Sequence, residues 1–369
     1  MALYRIVLFY VLTSLLLINP VFASGPEPPV PTLVESIRLD AKLSFCGEPV
    51  PLADGEVRER MEKELLLSLW DRDQAILWLK RSRRYLPSIE KILSEAGLPD
   101  DLKYIALAES ALRPHVGSPK GAVGFWQFLP ATGRRYGLTV DDQVDERRNL
   151  SASTRAAARY FTELHEKFGS WSLAATAFNM GEEGLQAEIL AQQVDDFYRL
   201  YLPLESQRYL FRILSAKLIL TQPEKFGFYL RDEDYYPPLR FTTVQLTTFE
   251  ETSLTVVAKA AKTDFKRIKD LNPELRGHYL AAGTHTLALP ADTPPGFLAR
   301  FENVHQQWRQ QRNERIYVVQ TGDNLSTIAE KFNVPLAALL IWNRIDMNKP
   351  LYPGDRLVIL PAEEKTGEP

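Results

Sequence analysis

Three textures of apolar and polar positions follow one another along the chain. From Ile6 to Ile18 the residues are almost wholly apolar. From Glu56 to about Tyr236, apolar residues recur at spacings of three and four in a background of Leu, Ala, Glu, Lys and Arg. That spacing predicts a block of amphipathic helices. Pro237-Pro238 closes the block. From Phe241 onward, Thr, Val and alternating apolar positions predict short strands. Gly25 to Pro31 is a Pro-rich leader whose composition cannot build a core.

The first apolar run follows Arg5 and ends at Asn19-Pro20, and Val21-Phe22-Ala23 has the small-x-small form of a cleavage site. It falls short of the ~20 residues a spanning helix needs. We therefore expect a signal peptide over residues 1–23, cleaved after Ala23; an uncleaved anchor is the alternative. Export from the cytoplasm is therefore expected.

The strand-forming third contains an internal repeat. At a shift of 71 residues, Val257-Ala258 falls on Ile328-Ala329, Leu271-Asn272 on Trp342-Asn343 and Leu289-Pro290 on Leu360-Pro361. The copies lie near 246–290 and 317–361, and each reads as strand, helix, helix, strand. In the second, Leu325, Ile328, Ala329 and Phe332 form one helical face, and Pro335 can start a second helix. Residues 291–316 read as a linker, with an exposed helix in its Gln/Arg-rich stretch.

Composition narrows the function classes. The chain has 44 Lys+Arg against 47 Asp+Glu, a net charge of −3. That balance does not suit a polyphosphate, so nucleic acid is not expected as a partner. The lone Cys46 excludes an intrachain disulfide framework, and is expected as a buried small apolar residue. Five histidines are scattered without metal-ligand spacing, so a His-rich metal site is not expected, and the sequence implies no metal or organic cofactor.

The second copy, with YVVQTGDNLSTIAEKFNV, then IWN, then LYPGDRLVI, closely resembles a LysM domain over its whole length. The first copy resembles it weakly, because Glu250-Glu251 replaces the Gly-Asp turn. The resemblance implies binding to N-acetylglucosamine-containing glycans. The second copy carries four Lys+Arg and four Asp+Glu, so bulk charge is not its means of binding. Trp342 and Tyr352 stand either as sugar contacts or as filling for a tiny core; for Trp342 the core is preferred.

In the helical block, Pro99-Asp100-Asp101 opens a helix reading LKYIALAESALRP that must end near Pro114. Leu102, Ile105 and Ala106 form its apolar stripe, and Glu109 occupies the next stripe position. A carboxyl group placed where a core residue belongs is held protonated by desolvation, as a general acid requires. A partly buried Glu paired with Arg or Lys fits the same pattern. Downstream lie the Gly-rich loop Gly117-Ser118-Pro119-Lys120-Gly121-Ala122-Val123-Gly124, then Phe125-Trp126-Gln127-Phe128-Leu129-Pro130, and later Ala177-Phe178-Asn179-Met180-Gly181.

The order Glu-Ser, Gly-x-x-Gly-x-x-Gln, Ala-aromatic-Asn resembles the Slt-type lytic transglycosylases, lysozyme-like enzymes that cut peptidoglycan. With the leader and the C-terminal copies, the layout is similar to the membrane-bound lytic murein transglycosylase D group. The resemblance implies Glu109 as the catalytic acid, and Ser110, Ser118, Gln127, Phe178 and Asn179 as substrate-binding positions. Phe178 departs from the family's usual Tyr, whose hydroxyl touches the catalytic carboxyl; here that bond is missing or supplied otherwise. Leu129 stands where Met is frequent.

The mechanism so implied has one carboxyl group that protonates the glycosidic oxygen and then deprotonates the C6 hydroxyl, closing a 1,6-anhydro ring without water. A hydrolase would need a second acid. Asp141, Asp142 and Asp145 are the nearby candidates, and they read as a capping or solvated acidic turn. His115 reads as surface or groove. Trp126, Trp171 and Tyr160 can stack on sugars, but core roles are preferred. The expected protein is mainly α: a lysozyme-like helical catalytic domain at 60–235, after a leader and N-terminal segment at 24–59. Two small α+β (βααβ) LysM-type modules follow at 246–290 and 317–361. It acts on peptidoglycan glycan strands, associates with membrane or cell wall, and is a monomer. The alternatives are a catalytically impaired peptidoglycan-binding scaffold and a muramidase-type hydrolase.

Overall fold

A computed structural model describes residues 31–39, 42–347 and 350–360. The expected signal peptide and most of the Pro-rich leader lie outside the described residues. After a short helix α1 (Leu33–Ser36), the hairpin β1 (Ser44–Phe45) and β2 (Glu48–Pro49) turns at Cys46 and Gly47, both at positive φ. Helices α2 (Gly55–Trp70), α3 (Arg72–Glu95), α4 (Lys103–Ser110), α5 (Pro130–Arg135), α6 (Leu150–Phe168), α7 (Trp171–Met180), α8 (Glu182–Gln192) and α9 (Leu204–Thr221) complete the first domain.

Their ends follow from local chemistry. Asp54 and Asp71 cap α2 and α3, accepting from backbone N–H groups of the first turn. Asn149 caps α6, and Gly169 at φ 68° ends it. One core runs from Leu43 to Phe228, with α9 packed against α2, α4 and α7. It includes Phe45, Val50 and Leu52. The stretch expected as a leader and N-terminal segment thus supplies part of the helical domain from about residue 43.

Glu48 of the hairpin completes the amino end of α7. Its carboxylate accepts from Trp171 N (2.5 Å), Ser172 N (3.0 Å), Ser172 Oγ (2.8 Å) and Ser170 Oγ (3.1 Å). A carboxylate there satisfies orphan donors and meets the positive end of the helix dipole. Glu48→Ala is expected to cost about 1–2 kcal/mol, read by urea denaturation at pH 7. Unchanged stability would show the cap to be dispensable.

The first C-terminal module pairs β3 (Phe241–Thr248) with β6 (Gly283–Pro290) in antiparallel register, from Phe241 opposite Pro290 to Thr248 opposite Gly283. Between them lie β4 (Thr252–Ser253), α10 (Leu254–Ala261), α11 (Phe265–Leu271) and β5 (Tyr279–Leu280), with β4 paired to β5. The expected linker is mostly helix α12 (Phe297–Glu314), and it is not simply exposed. Phe297 and Phe301, one turn apart, are buried in the first module's core, with Trp308 packed beside them. The second module has β7 (Ile316–Val318), α13 (Leu325–Lys331), α14 (Leu336–Asn343) and β8 (Arg356–Val358), closing on Ile328, Ala329, Leu339 and Leu357. Trp342 packs against that core, whereas Tyr352 is exposed. In both copies an Asn at the end of the second helix (Asn272, Asn343) bonds the last strand at Ala288 and Val358.

Candidate active site

Glu109 sits in the last turn of α4. The helix stops one residue later, earlier than Pro114 alone demands. Ala111 and Leu112 both adopt left-handed backbone (φ 51° and 57°) and both are buried. Two non-glycine residues there cost about 1–2 kcal/mol each, a strain of the kind that surrounding structure sustains at functional sites. Arg81 Nη1 holds the turn by donating to Ala111 O at 3.2 Å.

The Glu109 side chain is half-buried. Desolvation lifts its carboxyl from 4.5 to about 7; a hydrogen bond from Tyr209 and the charge of Arg212 pull the other way, and Glu205 adds to the rise. Tyr209 Oη lies 2.5 Å from Glu109 Oε1. Tyr209 is 1% exposed, and its phenol is held well above its ordinary value, chiefly by burial, so it acts as the donor. The hydrogen bond that Phe178 cannot make therefore comes from α9.

Phe178 packs among aromatic rings, stacked on Phe161 at 4.8 Å and edge-on to Phe128 at 5.7 Å. Asn179 Oδ1 accepts from Ser206 Oγ at 3.1 Å. Ser206 and Tyr209, three apart on α9, share one helical face. One face of α9 therefore holds both Asn179 and Glu109.

Ser110 is 2% exposed. Its hydroxyl lies 3.0 Å from Ala106 O and 2.9 Å from Phe125 O. It braces α4 against the loop and is not presented to a substrate, because the neighbouring carbonyls engage its one proton. Ser118 differs: its half-buried hydroxyl accepts from Ala122 N at 3.1 Å and keeps its own proton to donate. Gln127 stands at φ 48°, with Nε2 donating to Val116 O (3.0 Å) and Gly124 O (2.8 Å). Two carbonyl partners fix the amide orientation and leave Oε1 as a free acceptor.

The Gly-rich loop is gripped from behind. Arg147 and Asp145, both buried, form a bidentate pair at 2.8 and 2.9 Å. Arg147 Nη1 also donates to Gly121 O (2.8 Å) and Phe128 O (2.9 Å). At Gly124, with φ 88°, a Cβ would lie 1.8 Å from Arg147 O, so only glycine fits. Asp145 is therefore neither a solvated turn residue nor available as a second acid. Asp141 and Asp142 are exposed, and Asp141 closes a local turn onto Gln143 N and Val144 N.

Trp126 is fully buried, its indole N–H donating to Thr154 Oγ1 at 3.0 Å; Tyr160 is also in the core, and half-buried Trp171 stacks on His165 at 3.9 Å. Cys46 is half-buried, and its backbone N–H donates to Asp101 at 2.8 Å. Among the described residues, no group of three or more His, Cys, Asp or Glu side chains is placed to hold a metal ion.

Sequence reasoning missed Tyr209, Ser206, Arg212 and Glu205. The signal was faint: Glu205, Arg208, Tyr209 and Arg212 recur at spacings of three and four along one side of α9. Removing the phenol hydroxyl takes away a bond that favours ionised Glu109. In Tyr209→Phe, the alkaline limb of the pH–rate profile is expected to move upward by roughly one pH unit. An unmoved limb with normal rates would show that the contact does not tune the acid.

Known proteins place this architecture. Residues 87–199 match the Transglycosylase SLT domain, 317–360 the LysM domain, and 240–302 the LysM-like domain of lytic transglycosylase MltD. The chain is 30% identical over 342 residues to the membrane-bound lytic murein transglycosylase D of Escherichia coli (strain K12), covering 88% of this chain and 74% of that one. It is 39% identical over 85 residues to the peptidoglycan transglycosylase gp16 of Escherichia phage T7, 22% of this chain and 6% of that one. Among solved structures, the 70 kDa soluble lytic transglycosylase of Escherichia coli aligns with 53% of this chain and 34% of its own, at 17% identity and a TM-score of 0.34. A helical SLT domain followed by LysM modules thus defines the class. Within it, the chain belongs to the membrane-bound lytic murein transglycosylase D family.

Proposed function

We propose that this protein is a peptidoglycan lytic transglycosylase that cleaves the β-1,4 bond between N-acetylmuramic acid and N-acetylglucosamine through Glu109. The observation that carries the reading is a single carboxyl group raised to about 7 by burial and held by Tyr209. Near neutral pH such a group is present in both protonation states, as a group that gives and then takes a proton needs to be.

Protonated Glu109 gives its proton to the glycosidic oxygen as that C–O bond breaks, and positive charge develops at the muramic C1. The resulting carboxylate, which Tyr209 and Arg212 favour, takes the proton of the C6 hydroxyl. That oxygen bonds to C1, giving a 1,6-anhydro end and regenerating the acid; no water is consumed. Ser118 donates to the sugar, Gln127 Oε1 accepts from it, and Asn179, held by Ser206 on the face of α9 that also carries Tyr209, lies on the substrate side. Ser110 and Phe178 act by packing. Asp145 is committed to Arg147, which supports the non-hydrolytic route over a two-acid one.

The LysM modules hold the enzyme on glycan and raise its local concentration there. The protein works in the cell envelope, exported by its first 23 residues. Digestion of purified sacculi, with mass spectrometry of the released ends, tests the reading. Anhydro-muramic ends are expected; reducing ends would replace it by hydrolysis, and bound but uncut glycan by a scaffold.

A further inference from the structure

The first module grips the catalytic domain through residues 139–146. Residues 139–146 form a finger: Val140 bridges Asp145, Asp141 N donates to Val144 O (2.9 Å), and Glu146 N donates to Thr139 O (2.9 Å). The far side of the finger continues into the module as two-residue strand pairing. Val144 bridges Leu275 in antiparallel sense, flanked by Asp145 N–H to Glu274 O (2.8 Å) and Arg276 N–H to Gln143 O (2.7 Å). Arg276 Nη1 adds a bond to Asp141 O (2.9 Å). Val144 packs against the module's core, where Leu275 is 5% exposed. The residue next to Val144 is Asp145, whose carboxylate orients Arg147. Arg147 in turn holds Gly121 O, three residues after Ser118, and Phe128 O, next to Gln127.

We propose that the first LysM-like module is a brace for the substrate loop, with Leu275 and Arg276 as positioning residues for the reaction that Glu109 carries out. The inference rests on the lytic reading for its effect on turnover, but not for its effect on the loop. The links from Leu275 to Gln127 are backbone pairing, the bidentate Asp145–Arg147 contact and the two bonds from Arg147 Nη1 to loop carbonyls, so a shift of the finger moves the loop. A loop displaced by about 1 Å can lower turnover on the order of a hundredfold. The module thereby contributes to rate on substrates too short for any tethering to matter.

The test uses the whole protein carrying Arg276→Pro, which removes the donor to Gln143 O and the side-chain bond together. Turnover is measured on a short soluble glycan, retention on sacculi, and hydrogen exchange over residues 117–128. Expected are turnover lower by about tenfold or more, with KM on the short glycan little changed, retention unaltered and faster exchange in the loop. A second variant guards against misfolding: Val144→Cys with Leu275→Cys. The flanking bonds make this a non-hydrogen-bonded pair, whose short spacing suits a disulfide. Oxidation is expected to restore turnover and loop protection relative to the reduced form. Unchanged exchange in the loop, or faster exchange with full turnover, would overturn the brace. Failure of the lytic reading is distinct, since the unsubstituted protein would then yield no anhydro product while exchange still decides the brace.

Discussion

Glu109→Gln is expected to abolish anhydro-product formation, with turnover down by a factor of roughly 10³ or more. One general acid–base step contributes about 10²–10⁴, and here a single group serves two proton transfers in sequence. The amide is isosteric and its oxygen still accepts from Tyr209 Oη, so the site stays assembled. Retention on sacculi through the C-terminal modules is expected to persist, which separates lost chemistry from lost folding. The variant has a second signature. Burial raises the folded-state value of Glu109 to about 7 from 4.5, so the folded protein favours the protonated form. The stability so contributed is present below pH 4.5 and is lost as pH rises through 7. Glu109→Gln carries no such loss, so its advantage over the parent in thermal unfolding should grow from pH 5 to pH 8. Residual anhydro product near the parental level would remove Glu109 from the mechanism.

Arg147→Ala is expected to be the most damaging substitution for stability, by about 3–5 kcal/mol, the usual cost of leaving one partner of a buried pair behind. Asp145, 1% exposed, would keep a charge with no bidentate partner, and Gly121 O and Phe128 O would lose a shared donor. Arg147→Lys should rescue little, because an ammonium cannot present the fork that meets a carboxylate and two carbonyls at once. Replacing Asp145 by Asn and Arg147 by Met together should recover part of the loss, since no uncompensated charge then stays buried. Urea unfolding of the three variants decides the matter. A loss below about 1 kcal/mol for Arg147→Ala, the range of an exposed pair, would mean that water reaches the pair.

The parts legible in the sequence were those with a local signature. The partial burial of Glu109 was readable because a carboxylate stood at a stripe position, and the two βααβ modules because a fixed 71-residue shift aligned their apolar positions. Asp145 was misread because a run such as DDQVDERR looks solvated. Its burial depends on the Arg147 fork and on Glu274 O from the first module, contacts that no local pattern encodes. The α12 stripe of Phe297, Phe301 and Trp308 was present but masked by its Gln/Arg-rich surroundings. Tyr209 and Glu48 were invisible for a common reason. Each acts across more than 99 residues, and a lone Tyr in an apolar helix or a lone Glu in a hairpin carries no trace of its partner.

That distance has a temporal consequence. Glu109 is held by a residue 100 positions downstream. At roughly 5–20 residues per second, the ribosome needs on the order of 5–20 s to supply α9 after the acid has been made. Until then Glu109 lacks its phenol partner, Asn179 lacks Ser206, and α4 has α3 to pack against but not α9. The capacity to cut glycan therefore waits on α9: until that helix packs on α4 and α7, neither the acid nor Asn179 has its partner.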